Sequence, residues 1–168
     1  MSAAPAHETA RSHQAERYVG LMSGTSLDGI DAVLAEIGPS SQPRLLQTHY
    51  LPYPDSLRGQ LLALHTPQAD EIHLAALAAN ELARLYADTV SAVLDGTSPS
   101  SVRAIGCHGQ TLRHRPADGY TVQIGNAALL AEEFRDLLPV LREAFPACWQ
   151  EIVALTCTRV AGYRNAPR

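Results

Sequence analysis

At 168 residues, with 46% hydrophobic and 18% charged side chains, the chain has the length and make-up of one ordinary globular domain with a substantial core. A formal net charge of -4 advertises no basic face and argues against nucleic acid as the default partner. All 13 basic residues are arginine, which excludes Schiff-base lysine chemistry and a Walker-type loop lysine and leaves phosphate handling to main-chain amides, hydroxyls, arginine or a metal.

Residues 1–16 carry neither an apolar h-region nor strong periodicity and read as a flexible leader. Tyr18–Ile37 then organises the chain. An apolar run (Tyr18, Val19, Leu21, Met22) ends in Ser23-Gly24-Thr25-Ser26, and a second apolar run starts at Ile30. That is strand, polar turn, strand, with Asp28-Gly29 as the hairpin signal. Successive amides in such a turn can cradle an anion, and glycine lets a phosphate come close. The plainer alternative is a hairpin loop rich in turn residues.

Leu45–Leu51 predicts a third strand after the Ser40–Pro43 turn, and Pro52 and Pro54 end it. Asp55–Leu64 reads as a short helix and Thr66-Pro67 as a break. A long helix follows from Glu71 to Leu94, with Asp70 as its cap and Ile72, Ala76, Ala79, Ala83, Tyr86, Val90 and Val93 on one face. Asn80-Glu81 inside it reads as a solvated or locally bonded pair rather than a site. Gly96 and Pro99 stop the helix. Val102–Cys107 predicts a buried strand running into His108-Gly109-Gln110-Thr111, where the carboxyl end of a strand would present imidazole, amide and hydroxyl groups to a polar ligand. A purely structural His108 is the alternative. Tyr120–Ile124 predicts another strand. Gly125-Asn126 after it is either a turn into a helix cap or an amide offered to a sugar, and a helix spans Ala127–Glu132.

The three cysteines, Cys107, Cys148 and Cys157, have no CxxC spacing, so they read as reduced cytosolic thiols and not as a zinc site. No run approaches the roughly 20 apolar residues of a membrane span. The expected setting is cytoplasmic.

Three blocks in order, GLMSGTSLDGIDA (Gly20–Ala32), AIGCHGQTLRHRP (Ala104–Pro116) and YTVQIGNAALLAE (Tyr120–Glu132), closely resemble the anhydro-N-acetylmuramic acid kinase family of the actin/hexokinase/Hsp70-like ATPases. The resemblance implies an α/β, RNase H-like (actin-like ATPase) lobe over residues 17–132, its mixed sheet starting with an antiparallel hairpin. It implies ATP and Mg²⁺, a small-molecule substrate (1,6-anhydro-N-acetylmuramic acid from peptidoglycan turnover), ring opening by water and phosphorylation of the freed 6-hydroxyl. By motif, Gly24, Thr25, Ser26, Leu27, Asp28, Gly29, Ile30 and Asp31 become the ATP-phosphate segment. Asp28 or Asp31 would have an indirect Mg²⁺ or loop-holding role, or Asp31 only orients the hairpin. His108, Gly109, Gln110 and Thr111 become the sugar-facing segment, with Gly125 and Asn126 opposite.

The resemblance fades after Glu132. The family continues through a strand into an acidic DFR-type motif bearing the catalytic base and then a GGxG segment. Here Glu133-Phe134-Arg135 is a faint echo, which leaves Glu133 as a weak candidate base, and Gly162 is the sole glycine after Asn126. Residues 133–168 therefore read as a divergent tail, in part an amphipathic helix over Phe134–Phe145. The chain is expected to be one lobe of a two-lobed kinase with little activity alone. A non-catalytic sugar- or nucleotide-binding lobe, and a partner-dependent or homo-oligomeric fragment, are the alternatives.

Overall fold

The computed structural model describes residues 15–38 and 42–134. Strands β1 (Glu16–Ser23), β2 (Gly29–Ile37) and β3 (Arg44–Pro52) form an antiparallel meander. Helices α1 (Asp55–Ala63) and α2 (Glu71–Val93) follow, and β4 (Val102–Cys107) returns to pair parallel with β1. The sheet order is β3-β2-β1-β4, a mixed sheet. A separate hairpin of β5 (Gln110–Arg115) and β6 (Tyr120–Ile124) leads into α3 (Ala127–Glu133).

Alternation builds the sheet face. Val19, Leu21 and Ser23 of β1 and Ile30, Ala32 and Leu34 of β2 point inward, because successive strand residues face opposite sides. They meet Leu57 and Leu61 of α1 and, from α2, Ala78, Leu82, Ala83, Tyr86, Val90 and Val93, whose three- and four-residue spacing makes one stripe. Met22, Val33 and Tyr50 lie on the opposite sheet face and are 48%, 37% and 47% exposed.

Several expectations need correction. The hairpin exists, but Asp28-Gly29 is not its turn. Gly29 already lies in β2 opposite Pro52, and glycine is required there because a Cβ would stand 2.4 Å from the Leu51 carbonyl oxygen. Asp70 sits at the N-terminus of α2 but makes no side-chain cap, since its backbone is left-handed with φ of 57°. The inward face of α2 starts only at Ala78, and Ile72 is 88% exposed. β4 is largely exposed rather than buried, because among the described residues it forms an edge of the sheet. Gln110 and Thr111, expected just past the end of a strand, open a strand of their own, β5, to which the sequence reading assigned no element. The Phe134–Phe145 helix lies outside the described residues except for Phe134, which is buried at the end of α3.

Candidate functional site

β1 and β2 meet at Ser23 and Ile30, and the chain between them turns at Gly24–Leu27, closed by the Leu27 N–H donating to the Gly24 carbonyl at 3.4 Å. Leu27 supplies the reversal with φ of 54°, a left-handed conformation that costs a non-glycine residue about 1–2 kcal/mol. Its side chain is buried, and burying a leucine contributes about 1.5–3 kcal/mol, enough to offset that strain. Thr25, Ser26 and Asp28 are consequently held at the surface while Leu27 and Ile30 anchor the loop from below. The Ser26 hydroxyl donates to the Asp28 carboxylate at 2.6 Å and holds that carboxyl below its usual range, so Asp28 is ionised at neutral pH. The Asp28 carbonyl accepts from the Tyr53 N–H and the Tyr50 hydroxyl, both at 3.0 Å.

Underneath, a buried polar network joins this loop to the start of the β5–β6 hairpin. Gln110 is fully buried; its amide nitrogen donates to the Gly24 carbonyl at 3.1 Å and its amide oxygen accepts from the Tyr53 hydroxyl at 3.0 Å. The Ser23 hydroxyl donates to the Gly109 carbonyl at 3.1 Å and shares a 2.6 Å hydrogen bond with the Tyr86 hydroxyl. The His108 N–H donates to the Leu21 carbonyl at 3.1 Å. Burial pushes the Tyr53 and Tyr86 hydroxyls and the Cys107 thiol up, so all three stay neutral. These bonds also fix direction. In a trans peptide the C=O and the following N–H point oppositely, so a Gly24 carbonyl held toward buried Gln110 turns the Thr25 N–H outward.

The second face of the site lies at the carboxyl end of β4. Gly109 has φ of 74°, and a Cβ there would stand 2.6 Å from the Ile124 carbonyl oxygen. Gly125 packs against it, its own virtual Cβ 3.7 Å from the Gly109 Cα. His108 is exposed, with Nδ1 2.9 Å from the Gly109 carbonyl and Nε2 2.8 Å from the Gln123 amide nitrogen. Thr111 is the cross-strand neighbour of Gln123, with its hydroxyl 3.5 Å from the same amide nitrogen. Asn126 is committed on both sides: its oxygen caps α3 by accepting from the Leu129 N–H at 3.0 Å, and its nitrogen donates to Asn80 at 2.8 Å.

Two sequence blocks, 23–29 and 108–111, are thus brought into hydrogen-bond contact across a separation of 86 residues, at the carboxyl ends of the adjacent parallel strands β1 and β4, and comparison with known proteins gives the pair a family. The family model described as anhydro-N-acetylmuramic acid kinase matches residues 16–139. The chain belongs to the anhydro-N-acetylmuramic acid kinase family. A relative of that name from Thiobacillus denitrificans is 74% identical over 132 residues, covering 79% of this chain and 34% of the relative. Relatives of the same name from Nitrosospira multiformis and Pseudomonas putida are 54% and 57% identical, covering 71% and 68% of this chain and 33% and 32% of their own. The chain therefore spans about a third of the length of these curated relatives. Among solved structures, a cryo-EM structure of CasPhi-2 bound to crRNA and DNA aligns at 15% identity with a TM-score of 0.21, covering 90% of this chain and 29% of that one, a likeness too low to carry an argument.

The blocks that this kinase family shares with the chain do not all offer side chains. Of the 24–31 segment, Thr25, Ser26, Asp28 and Asp31 are exposed, whereas Leu27, Gly29 and Ile30 are buried. In the 108–111 segment the imidazole of His108 is exposed, and the Gln110 amide is turned to the loop beneath. Glu133 is exposed on the last turn of α3, and a helix, not a strand, precedes it. Among the described residues no group of three or more His, Cys, Asp or Glu side chains is arranged to hold a metal ion, and no helix is long and apolar enough to cross a membrane. Tyr53, Tyr86, Asn80 and Gln123 escaped the sequence reading as site residues. Only Asn80 carried a signal, as an amide inside an apolar helical stripe.

Proposed function

We propose that this chain forms the phosphate-loop lobe of an ATP-dependent kinase acting on 1,6-anhydro-N-acetylmuramic acid, an RNase H-like ATPase lobe working in cytoplasmic peptidoglycan recycling. The observation that carries the reading is Gly24. Its φ is not left-handed, and an added Cβ would meet only Ser26, with the hydroxyl oxygen at 3.4 Å and the amide nitrogen at 3.9 Å, an ordinary contact. Folding alone does not demand a glycine there. Close approach of a phosphate to the Thr25 and Ser26 amides does.

The residues fit the nucleotide. Outward amides and the Thr25 hydroxyl would bind phosphate oxygens while the Ser26 hydroxyl holds the Asp28 carboxylate, and ionised Asp28 suits Mg²⁺, which is commonly held by one or two carboxylates together with nucleotide phosphates. When bound, ATP–Mg²⁺ supplies the phosphoryl group and the neutralising charge for its transfer. His108, Gly109 and Thr111 would meet the sugar, with Gly125 beside them. Gln110 would act from underneath by orienting the loop. The supporting geometry is the network that ties residues 23–24 to 109–110, since a transfer reaction requires its two substrates to be held in fixed relative position.

A second reading, a lobe that binds without turning over, is favoured by one observation. The acidic base that the family resemblance places beyond residue 132 is echoed only by Glu133. Calorimetric titration with ATP–Mg²⁺ and with the anhydro-sugar, followed by a phosphorylation assay, separates the two. Binding of both ligands with turnover supports the kinase; binding without turnover supports the second reading. Gly24→Val is expected to weaken ATP–Mg²⁺ binding at least about tenfold, the loss of roughly one charge-assisted hydrogen bond, while the circular dichroism spectrum is kept. Unchanged affinity would remove the phosphate-loop assignment.

A further inference from the structure

We infer that Gln123 is a positioning residue whose side-chain amide, together with the Gly109 carbonyl, holds His108 in the Nδ1–H tautomer, with the Nε2 lone pair turned toward the exposed face of the β5–β6 hairpin. The geometry leaves little choice. The Gly109 carbonyl lies 2.9 Å from Nδ1 and can only accept, so Nδ1 carries the proton. A neutral imidazole then has only a lone pair at Nε2, and the group 2.8 Å away is the Gln123 amide nitrogen, a donor. The reverse tautomer would set the Nδ1 lone pair against the Gly109 carbonyl and an Nε2 proton against the Gln123 N–H. Rotating the Gln123 amide relieves only the second conflict. Thr111, the cross-strand partner of Gln123, adds a hydroxyl 3.5 Å from the same amide, so three side chains meet on one face.

Nothing in the core demands this arrangement, because His108 is exposed and Gln123 only part-buried. What it creates is a fixed acceptor beside an amide that can rotate and a hydroxyl. A polyhydroxylated ligand can donate one hydroxyl to Nε2 and engage the released Gln123 amide with a neighbouring group. This last step rests on the sugar-facing reading of residues 108–111; the tautomer does not.

The test uses the full chain. Long-range proton–nitrogen spectra of its imidazoles are recorded at about pH 8, above the ordinary histidine range. The His108 signal is assigned by its loss in His108→Ala. Wild type is expected to show His108 protonated on Nδ1. Gln123→Leu, which removes the donor but leaves the Gly109 carbonyl in place, is expected to raise the Nε2-protonated fraction without making it the major form, and Gln123→Glu, which sets an acceptor at Nε2 opposite the one at Nδ1, is expected to leave both nitrogens protonated. A wild-type His108 protonated mainly on Nε2, or a tautomer unchanged in both variants, overturns the inference. In parallel, Gln123→Leu is expected to weaken anhydro-sugar binding about tenfold, with ATP–Mg²⁺ affinity held, the scale of one lost hydrogen bond. Equal losses for both ligands would count against Gln123 acting through the sugar side. If wild type binds no sugar at all, the sugar-facing reading falls, and the spectra still decide the role of Gln123.

Discussion

The β1–β2 turn and the β4–β5 turn each carry a motif glycine, and the two glycines answer to different demands. Gly109 is needed by the fold, since its φ is 74° and an added Cβ would stand 2.6 Å from the Ile124 carbonyl oxygen. Gly24 is not, since its nearest would-be contact is an ordinary 3.4 Å. The reversal at the first turn is made by Leu27, which leaves Gly24 available for something outside the protein. A glycine shared with a family therefore says little until its φ and its surroundings are known. One of these two is structural, and the other is reserved for a ligand under the reading proposed above.

The contrast is open to direct test. Gly109→Ala combines a left-handed backbone with a backbone clash, so a loss of about 3 kcal/mol or more is expected, a fall of more than about 10 °C in melting temperature. Gly24→Ala, the same change in the other turn, is expected to stay within about 0.5 kcal/mol of wild type in the same melting experiment. Similar losses at both positions would erase the distinction. Gln110→Leu comes next. It removes the acceptor of the Tyr53 hydroxyl and one of the two donors to the Gly24 carbonyl, which keeps the Leu27 N–H, and with roughly 1–3 kcal/mol for a buried group left unpaired, a loss of about 2 kcal/mol is expected in urea unfolding. A near-neutral Gln110→Leu would mean that the two turns are not held together by this amide.

The smallest effect concerns Asp28. Its carboxyl is depressed from the ordinary 3.8 chiefly by the Ser26 hydroxyl, so the folded state binds that proton less readily than the unfolded chain. The resulting contribution is fully present above the ordinary carboxylate value and is lost as pH falls through the depressed one. Ser26→Ala is expected to return the Asp28 titration, followed by carboxyl-carbon NMR, toward 3.8. No movement would show that the tie at the loop tip is not formed in solution.

Much of the fold was legible because it is written in local pattern. Alternation in residues 18–37, proline punctuation at Pro52 and Pro54, and the small-residue start of α3 after Asn126 each act within a few residues, and the elements appear within a residue or two of where they were expected. What escaped depends on contacts far apart in sequence. Asp28-Gly29 reads as a turn by composition, yet Gly29 is there because β3 passes close beside it. Gln110 reads as a polar group at a strand end, yet its partners, Gly24 and Tyr53, come from two other parts of the chain. Gln123 lies unremarked inside the strand predicted over Tyr120–Ile124, and only its register opposite Thr111 brings it to His108.

Leu27 has a consequence for anyone who would alter this loop. A glycine at that position would relax the backbone by about 1 kcal/mol, the kind of change usually adopted to ease a left-handed residue. It would also remove the apolar plug that pins the turn to the core, giving up about 1.5–3 kcal/mol of burial and widening the range of shapes residues 24–28 visit. Rigidity here is obtained from a slightly uncomfortable leucine, and a more comfortable residue would leave a looser grip.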